Sequence, residues 1–254
     1  MLSNKTWIIL VSLMVIIYCV EYLKSNEPFA QEGETLYILT RTSGRPGFFK
    51  KSRESLKTQT NKNWHHIIST DDEESYDYAS KDDDRAMVIK VKKTKKDDFN
   101  NCPYNLYFNE LMKKVPNNSW VIFLDDDSVM TSAKSLENLK KAIEKAEKNN
   151  KEMIISKVTY GEEERERGWA CQNKSMEEIK TRLKKDWWGC RIDTAQLAIK
   201  KTDKMASWQS QCAGDVRFLN DNIDAGYEIF FNNSEPIIYA NYKGQGKGKK
   251  NDIN

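Results

Sequence analysis

The feature that most constrains this chain is the stretch WVIFLDDDSVM at residues 120–130. Its first five residues, 120–124, are apolar and of strand-forming types, which predicts a buried strand in a sheet covered on both faces. Asp125, Asp126 and Asp127 follow directly, and carboxylates packed so closely need a nearby cation or several hydrogen-bond donors. Oxygen ligands suit a hard divalent ion, so the triplet predicts a Mg²⁺ or Mn²⁺ site. A solvated turn, or the charged start of the following helix, is the alternative.

Apolar runs alternate with helical patterns along the chain. Strands are predicted at residues 36–39, 64–69, 86–91, 120–124, 153–158, 197–199, 227–231 and 237–239, and helices after Pro46, at 104–115, at 132–149 and from Gly214. This alternation predicts an α/β fold, a mostly parallel sheet with flanking helices, whose ligands bind beyond the carboxyl ends of the strands. Arg41, Asp71 and the aspartate triplet follow such ends, so we expect one cleft to gather them.

The loop TRTSGRP, residues 40–46, joins the first predicted strand to the first predicted helix. Helix N-termini present free N–H groups, so a loop with two arginines at this place favours an anionic ligand. It lacks the glycine spacing of a P-loop or a dinucleotide fingerprint. The net charge of +3 gives no field that would attract nucleic acid, and no nucleic-acid partner is expected.

The first residues of the chain predict a membrane anchor. Residues 7–23 are mostly apolar and reach the lower limit for a bilayer span, although a cleaved signal peptide is the alternative. The resulting organisation is a short tail at 1–6, a signal anchor at 7–23, a polar stem at 24–34 and, after the folded body, a basic flexible tail at 243–254. We therefore expect a single-pass membrane protein of the secretory pathway, of type II in the ER or Golgi.

Two further features bear on the compartment. Four of the five cysteines lie outside the predicted anchor and allow two disulfides in three connectivities. Asn117, Asn173 and Asn232 each begin an Asn-x-Ser/Thr sequon in the body, which indicates a glycoprotein. A reduced, unglycosylated protein is the alternative, because such triplets also arise by chance.

Several of these motifs together resemble a known family. The loop TRTSGRP with the helix FFKKSRESLKTQT, the strand HHIIS ending in DD, and WVIFLDDDS are similar to the nucleotide-sugar half of GT-A fold glycosyltransferases, most closely the family 2-like group. The match covers residues 36–131 well and the remainder loosely. It implies a GT-A domain at 35–242, with a nucleotide-sugar half at 35–131 and an acceptor half at 132–242. The implied reaction moves a sugar from a nucleotide-diphosphate donor to a glycan or other hydroxyl acceptor, with inversion and with Mn²⁺ or Mg²⁺.

The resemblance also implies roles for the aspartates. The triplet corresponds to the D-x-D element, with Asp125 and Asp127 as metal ligands and Asp125 or Asp126 near the ribose. The chain has no histidine near its C-terminus, so the late histidine ligand of some relatives is absent. The metal would then depend on the aspartates, water and diphosphate alone.

The remaining residues predicted to bind the nucleotide-sugar donor lie at or just after the ends of the first two strands. The resemblance implies that Thr40 and Arg41 line the nucleotide pocket and that Asp71 faces the base. Arg45 is a further candidate partner for the diphosphate.

Aromatic residues of the second half are candidates for acceptor binding, because rings stack on the apolar faces of sugars. Trp187 and Trp188, with Trp169 and Trp208, predict an acceptor wall, and Asp193 is placed to bond acceptor hydroxyls. Core packing is the alternative for at least two of the four tryptophans. The charged insertion at 161–185 is interpreted as a lid over the site or, equally, as a surface excursion held by a disulfide.

Asp215 opens the predicted helix after Gly214. By position it is a helix cap, whereas the resemblance implies that an acidic residue here is the base that takes the proton of the acceptor hydroxyl. Asp215 is preferred as the catalytic base, and Asp193 is the second candidate.

Two other functions compete with glycosyl transfer. A nucleotidyltransferase with a related sheet would also place aspartates on a metal, and it would release pyrophosphate. A non-catalytic carbohydrate-binding protein would use the tryptophans and would bind glycan with no transfer.

Overall fold

A computed structural model of this chain describes residue 14 and residues 35–81, 85–93, 102–160, 165–167, 174–185, 192–211 and 213–240. Its strands are β1 Leu36–Thr42, β2 Trp64–Thr70, β3 Ala86–Lys90, β4 Trp120–Phe123, β5 Val129–Met130, β6 Met153–Ser156, β7 Val158–Tyr160, β8 Arg165–Arg167, β9 Leu197–Lys200, β10 Ile229–Asn232 and β11 Ile238–Ala240. Its α-helices are α1 Pro46–Lys57, α2 Glu73–Ala79, α3 Tyr107–Met112, α4 Ser135–Lys148, α5 Met176–Lys185 and α6 Gly214–Asp224, and 3-10 helices span Pro103–Leu106 and Thr194–Gln196.

Seven strands form the central sheet, in the order β10-β6-β9-β4-β1-β2-β3. Strands β1 to β4 pair in parallel, as do β6 and β10, whereas β9 is antiparallel to both of its neighbours. The predicted α/β class with a mostly parallel sheet is therefore confirmed. Because β9 runs in the opposite direction, the chain enters it at the same edge where β4 ends.

The central strands are buried on both faces, as their continuous apolar sequence predicts. On β1, Leu36 and Ile38 join a core cluster that also contains residues of α4, and the intervening Tyr37 and Leu39 are fully buried too. All four residues of β4 are buried, as expected from the run at 120–124. The aspartate triplet thus begins where a rigid, covered strand ends.

Helices cover this sheet through apolar stripes. Pro46 occupies the first turn of α1, a position where the missing N–H costs nothing. α4 is rich in Lys and Glu, and one of its sides buries Leu136, Leu139, Ala142, Ile143 and Ala146, in which 139, 142, 143 and 146 continue the i, i+3, i+4, i+7 pattern of a helix face.

A smaller second sheet pairs its strands in the order β5-β11-β7-β8. The single strand predicted at 153–158 is in fact two strands, because β6 belongs to the central sheet and β7 to the smaller one, with Lys157 between them. Periodicity cannot show this division, since the apolar pattern continues through both.

The helix α2 was not expected between β2 and β3. It is capped by Asp72, whose side chain accepts a hydrogen bond from the Ser75 backbone N–H, and it buries only Ser75 and Ala79. Because α2 buries so few residues, its sequence shows no apolar pattern with helical spacing. The helix predicted at 104–115 is likewise shorter, because a 3-10 turn at Pro103–Leu106 precedes α3.

The predicted single-pass membrane localisation is contradicted. A span needs about 20 successive apolar residues, and no helix in the described ranges is long and apolar enough to cross a bilayer. Except for Met14, the predicted anchor at 7–23 lies outside the described residues, as do the stem at 24–34 and the tail at 243–254.

Candidate active site

The carboxyl ends of β1, β2 and β4 meet at one edge of the central sheet. Leu39 pairs with Phe123, and the Leu124 N–H extends the ladder by donating to the Leu39 carbonyl over 2.9 Å. Thr42 pairs with Thr70 at the ends of β1 and β2. The structure therefore brings Arg41, Asp71 and the aspartate triplet to the same edge, as their order in the sequence indicated.

A cavity of about 470 Å³ opens at this edge. It is lined by Arg41, Thr42, Ser43, Arg45, Asp71, Pro103, Tyr104, Tyr107, Asp125 and Asp127. Ligand pockets for small molecules typically measure about 300–1,000 Å³, so the cavity is large enough for a nucleotide.

Two arginines balance the three aspartates beside this cavity. Arg41 donates from Nη2 to Asp125 Oδ1 over 2.9 Å. Arg45 donates from Nε to Asp126 Oδ2 over 3.0 Å, from Nη2 to Asp126 Oδ1, and from Nη1 to Asp127 Oδ2 over 3.2 Å. Arg45 is thus held by a two-pronged bond to one carboxylate and a single bond to the next, a geometry that the planar guanidinium favours.

The three carboxylates differ in exposure. Asp126 is fully buried, whereas the Asp125 and Asp127 side chains are 32% and 17% exposed and face the cavity. Burial raises the pKa of Asp126 to about 7, although Arg45 opposes the shift. Burial and the Asp125 charge also raise the pKa of Asp127. Burial alone would lower the pKa of Arg45, but the neighbouring aspartates raise it, so this arginine stays charged.

Two of the residues predicted to bind the nucleotide sugar lie beneath the cavity and do not line it. Thr40 is fully buried, where its hydroxyl donates to the Leu124 carbonyl over 2.6 Å and contacts His66 Nε2 at 2.7 Å. Asp126 is held against Arg45 and has no exposed surface. The expectation that Thr40 lines the nucleotide pocket is corrected accordingly. Of the two residues predicted near the ribose, Asp125 faces the cavity and Asp126 does not, so a place near the ribose stays a prediction for Asp125. The Thr40 and Asp126 side chains support the residues that do face the cavity.

Asp71 lines the cavity beside Tyr107, whose hydroxyl donates to Asp71 Oδ2 over 3.1 Å. The other oxygen, Oδ1, is buried and has no hydrogen-bond donor within the described part of the protein. A buried carboxylate oxygen without a donor is costly, so the bond from Tyr107 to Oδ2 is the described polar contact that holds this side chain.

Asp215 lies in the first turn of α6, and its Oδ1 accepts a hydrogen bond from the Val216 N–H over 2.9 Å. Burial raises its pKa, a nearby Asp125 raises it further, and Arg41 lowers it. Asp215 therefore lies within the electrostatic influence of Arg41 and Asp125, although it is not among the residues that line the cavity.

Asn105 connects Arg41 to the loop that precedes α6. It accepts a bond from Arg41 Nη1 over 2.8 Å and donates to the Gln211 carbonyl over 3.0 Å. No sequence pattern indicated a site role for this residue, because it fell inside a predicted helix. The same holds for the cavity residues Tyr104 and Tyr107. Pro103, which favours the first turn of a helix, could have indicated that a new element begins there.

Asp193 has a structural role at the same edge of the central sheet. Its side chain accepts from the Ala195 N–H over 3.0 Å and its N–H donates to Gln196 Oε1 over 2.8 Å, which forms a capping box before β9. It does not line the cavity. Its roles in acceptor binding and as the second candidate base stay predictions.

The predicted acceptor wall is mostly outside the described residues, which exclude Trp169, Trp187 and Trp188. Trp208 is described and is 2% exposed, in a core cluster with aromatic neighbours. It stacks on Phe218 with ring centroids 4.3 Å apart and packs edge-on against Phe123 at 5.1 Å. For Trp208 the core alternative is therefore the one observed.

The site offers only part of a metal coordination shell. Among the described residues, no three His, Cys, Asp or Glu side chains are grouped as a metal ion would need. Asp125 and Asp127 both face the cavity, and each already accepts a bond from an arginine. Mg²⁺ commonly binds through one or two carboxylates plus water and substrate phosphates, so these two side chains fit a cation that arrives with a diphosphate.

Comparison with solved structures shows a similar fold in S. aureus TarS. S. aureus TarS 1–349 in complex with UDP matches with a TM-score of 0.60 at 13% identity, over 81% of this chain and 60% of that one. The form in complex with UDP-GlcNAc gives a TM-score of 0.56 at 12% identity, over 81% and 58%. TarS itself matches with a TM-score of 0.58 at 12% identity, over 81% of this chain and 36% of that one.

These matches confirm the GT-A fold that the sequence motifs predicted. The chain spans little more than a third of TarS and about three fifths of its shorter form. No protein-family model matches the chain, and the search of curated proteins gave no match. At such low identity the likeness establishes the fold, and the activity has to be argued from the site.

Proposed function

We propose that this protein is a glycosyltransferase that moves a sugar from a nucleotide-diphosphate donor to a hydroxyl acceptor, with inversion and with a divalent cation. The observation that carries the proposal is the cavity at the carboxyl edge of a GT-A-type sheet. There Arg41 and Arg45, together with Asp125 and Asp127, face one space large enough for a nucleotide. Because the TarS forms of similar fold were solved with UDP and UDP-GlcNAc, a uridine nucleotide is the first donor to test.

The donor's diphosphate would lie against the two arginines. Their guanidinium groups carry several donors in a planar fork, which suits phosphate oxygens. Arg45 is anchored, because it bonds both oxygens of the buried Asp126 side chain and also one oxygen of Asp127. Asp71 lines the same cavity beyond the end of β2 and would face the base end of the donor.

Asp125 and Asp127 would hold the cation. When bound, a divalent cation supplies charge stabilisation for the leaving diphosphate. Asp125 and Asp127 place negative charge at the cavity wall. Their ion pairs with Arg41 and Arg45 reduce the repulsion between the two carboxylates.

Asp215 would act as the base. Its carboxylate takes the proton of the acceptor hydroxyl while that oxygen bonds to the anomeric carbon. The bond from this carbon to the diphosphate oxygen breaks in the same step, so the nucleoside diphosphate leaves and the configuration inverts. Burial at the start of α6 raises the pKa of Asp215, which makes it a stronger base than a solvated carboxylate.

Thermal stability with nucleotides tests the proposal. The protein is heated with UDP, GDP, UDP-GlcNAc or buffer, each with Mn²⁺ or with excess chelator. A nucleotide at 100 times its dissociation constant adds about 2.7 kcal/mol to the stability of the folded state. Asp127→Ala should reduce that gain with Mn²⁺ present, whereas Asp77→Ala, which removes an exposed carboxylate from α2, should not.

Failure of every nucleotide to raise the melting temperature would overturn the proposed function. Product analysis then separates the rivals. Release of pyrophosphate would indicate nucleotidyl transfer, and binding of glycan with no turnover of sugar nucleotide would indicate a carbohydrate-binding protein.

A further inference from the structure

The buried side chain of Asn105 connects the donor side of the site to the start of α6. Its Oδ1 accepts from Arg41 Nη1 over 2.8 Å, and the same arginine donates from Nη2 to Asp125 Oδ1 over 2.9 Å. On its other side, Asn105 Nδ2 donates to the Gln211 carbonyl over 3.0 Å. Because Asn105 is only 7% exposed, water competes little for these bonds.

The Asn105 amide also packs directly against the first residue of α6. A Cβ added at Gly214 would lie 2.4 Å from Asn105 Nδ2 and 3.1 Å from its Cγ. Only glycine leaves room for this approach, so the position of the amide and the position of the helix start depend on each other. Asp215 is the next residue, and it therefore moves with that turn.

We propose that Asn105 is a positioning residue, which fixes the Arg41 guanidinium and the first turn of α6 relative to each other and so sets how Asp215 faces Asp125. The inference rests on the proposed function, in which Arg41 binds the donor and Asp215 activates the acceptor. An amide is needed at this place, because one side must accept from Arg41 and the other must donate to a carbonyl.

Asn109 provides a matched control on α3. Its Nδ2 donates to the Trp208 carbonyl over 2.9 Å, and its Oδ1 accepts from the Trp208 N–H over 2.8 Å. Asn109 therefore holds the loop before α6 against the helical segment that also carries Asn105, and like Asn105 it makes two side-chain bonds. The two asparagines differ in that Asn105 bonds Arg41, whereas both of the amide bonds described for Asn109 go to Trp208.

The test compares Asn105→Ala with Asn109→Ala in the full chain. Both variants should lower the melting temperature, since each loses anchoring of the same loop. Only Asn105→Ala should weaken UDP binding, by about tenfold for a loss of about 1.4 kcal/mol. It should also move the acid limb of the kcat profile to higher pH, because Arg41 would lose the side-chain bond that ties it to the loop before α6 and would oppose protonation of Asp215 less.

Two more variants keep the test decisive if Asn105→Ala does not fold. Asn105→Asp retains an acceptor for Arg41 and should keep UDP affinity close to that of the unmodified protein. Gly214→Ala pushes on the same amide from the helix side, so it should reproduce the shift in the kcat profile with Asn105 unchanged.

Equal changes in UDP affinity and in pH profile for Asn105→Ala and Asn109→Ala would overturn the inference alone. Absence of both UDP binding and sugar transfer in the unmodified protein would overturn the proposed function and the inference with it. The two failures are therefore distinguishable.

Discussion

The buried carboxylate of Asp126 gives the sharpest prediction about this site. Burial raises its pKa to about 7, whereas an unfolded chain has an aspartate pKa of 3.8. A raised pKa means that the folded protein holds the Asp126 proton more tightly than the unfolded chain does. The associated stability is complete below the unfolded pKa and is lost as the pH rises through the folded pKa.

The size of the effect follows from the two pKa values. One pKa unit corresponds to about 1.4 kcal/mol, so between about pH 4.5 and about pH 8 the Asp126 proton accounts for about 3 kcal/mol. Asp126→Asn removes this titration while keeping the shape of the side chain and an acceptor for Arg45. Relative to the variant, the unmodified protein should therefore lose about 3 kcal/mol of unfolding free energy over that pH range.

Urea unfolding of both proteins at several pH values measures this difference directly. Taking the difference removes the contributions of titrating groups that do not interact with Asp126, such as His66, whose pKa is lowered by burial and by Arg53. Asp72→Asn is a control of opposite sign. Burial tends to raise the pKa of Asp72, but bonds from Ser75 and Ser43 lower it, so the unmodified protein should gain stability over this variant as the pH rises through the acid range. Parallel stability curves for Asp126→Asn and the unmodified protein would refute the reasoning.

Three further predictions concern the other residues of the site and its surroundings. Asp127→Ala should lower kcat by about 10²–10³-fold or more with the fold intact in circular dichroism, and full activity of the variant, or of the protein in excess chelator, would contradict its role. Asp215→Asn should lower kcat by about 10²–10⁴-fold, leave UDP affinity unchanged and abolish the acid limb of the kcat profile, which in the unmodified protein should lie above the ordinary range of an aspartate because the pKa of Asp215 is raised. Trp208→Ala should cost about 3–5 kcal/mol in denaturant unfolding, as loss of a core aromatic does, and a stable variant with poor acceptor binding would return Trp208 to the acceptor wall.

Much of the central sheet could be predicted from sequence because its strands are buried on both faces. The apolar run that ends at Leu124, and those of β1 and β2, carry their own signal, and the polar residues that follow them necessarily share one edge of a parallel sheet. The helix α2 carried no such signal, since it contributes so little apolar surface to the core. The division between β6 and β7 was hidden because both strands are apolar and adjacent.

The residues of the candidate site could also be predicted only in part. The sequence identified the aspartates, Arg41, Arg45 and Asp71 as neighbours, but it could not tell which side chains face the cavity. Thr40 was expected in the pocket and instead lies under it, because it precedes the end of β1 and is covered there by Leu124 and His66, to which its hydroxyl is bonded.

The sequence by itself determined that acidic and basic side chains would collect at the carboxyl ends of β1, β2 and β4, because the position of each strand along the chain and its burial follow from the local apolar pattern. Only the tertiary structure decided how those charges are shared. Asp126 turns inward to Arg45 while Asp125 and Asp127 face the cavity, and Asn105 reaches Arg41 from a segment 64 residues further along the chain. Such pairings depend on distances between side chains that are remote in sequence, and no local pattern encodes them.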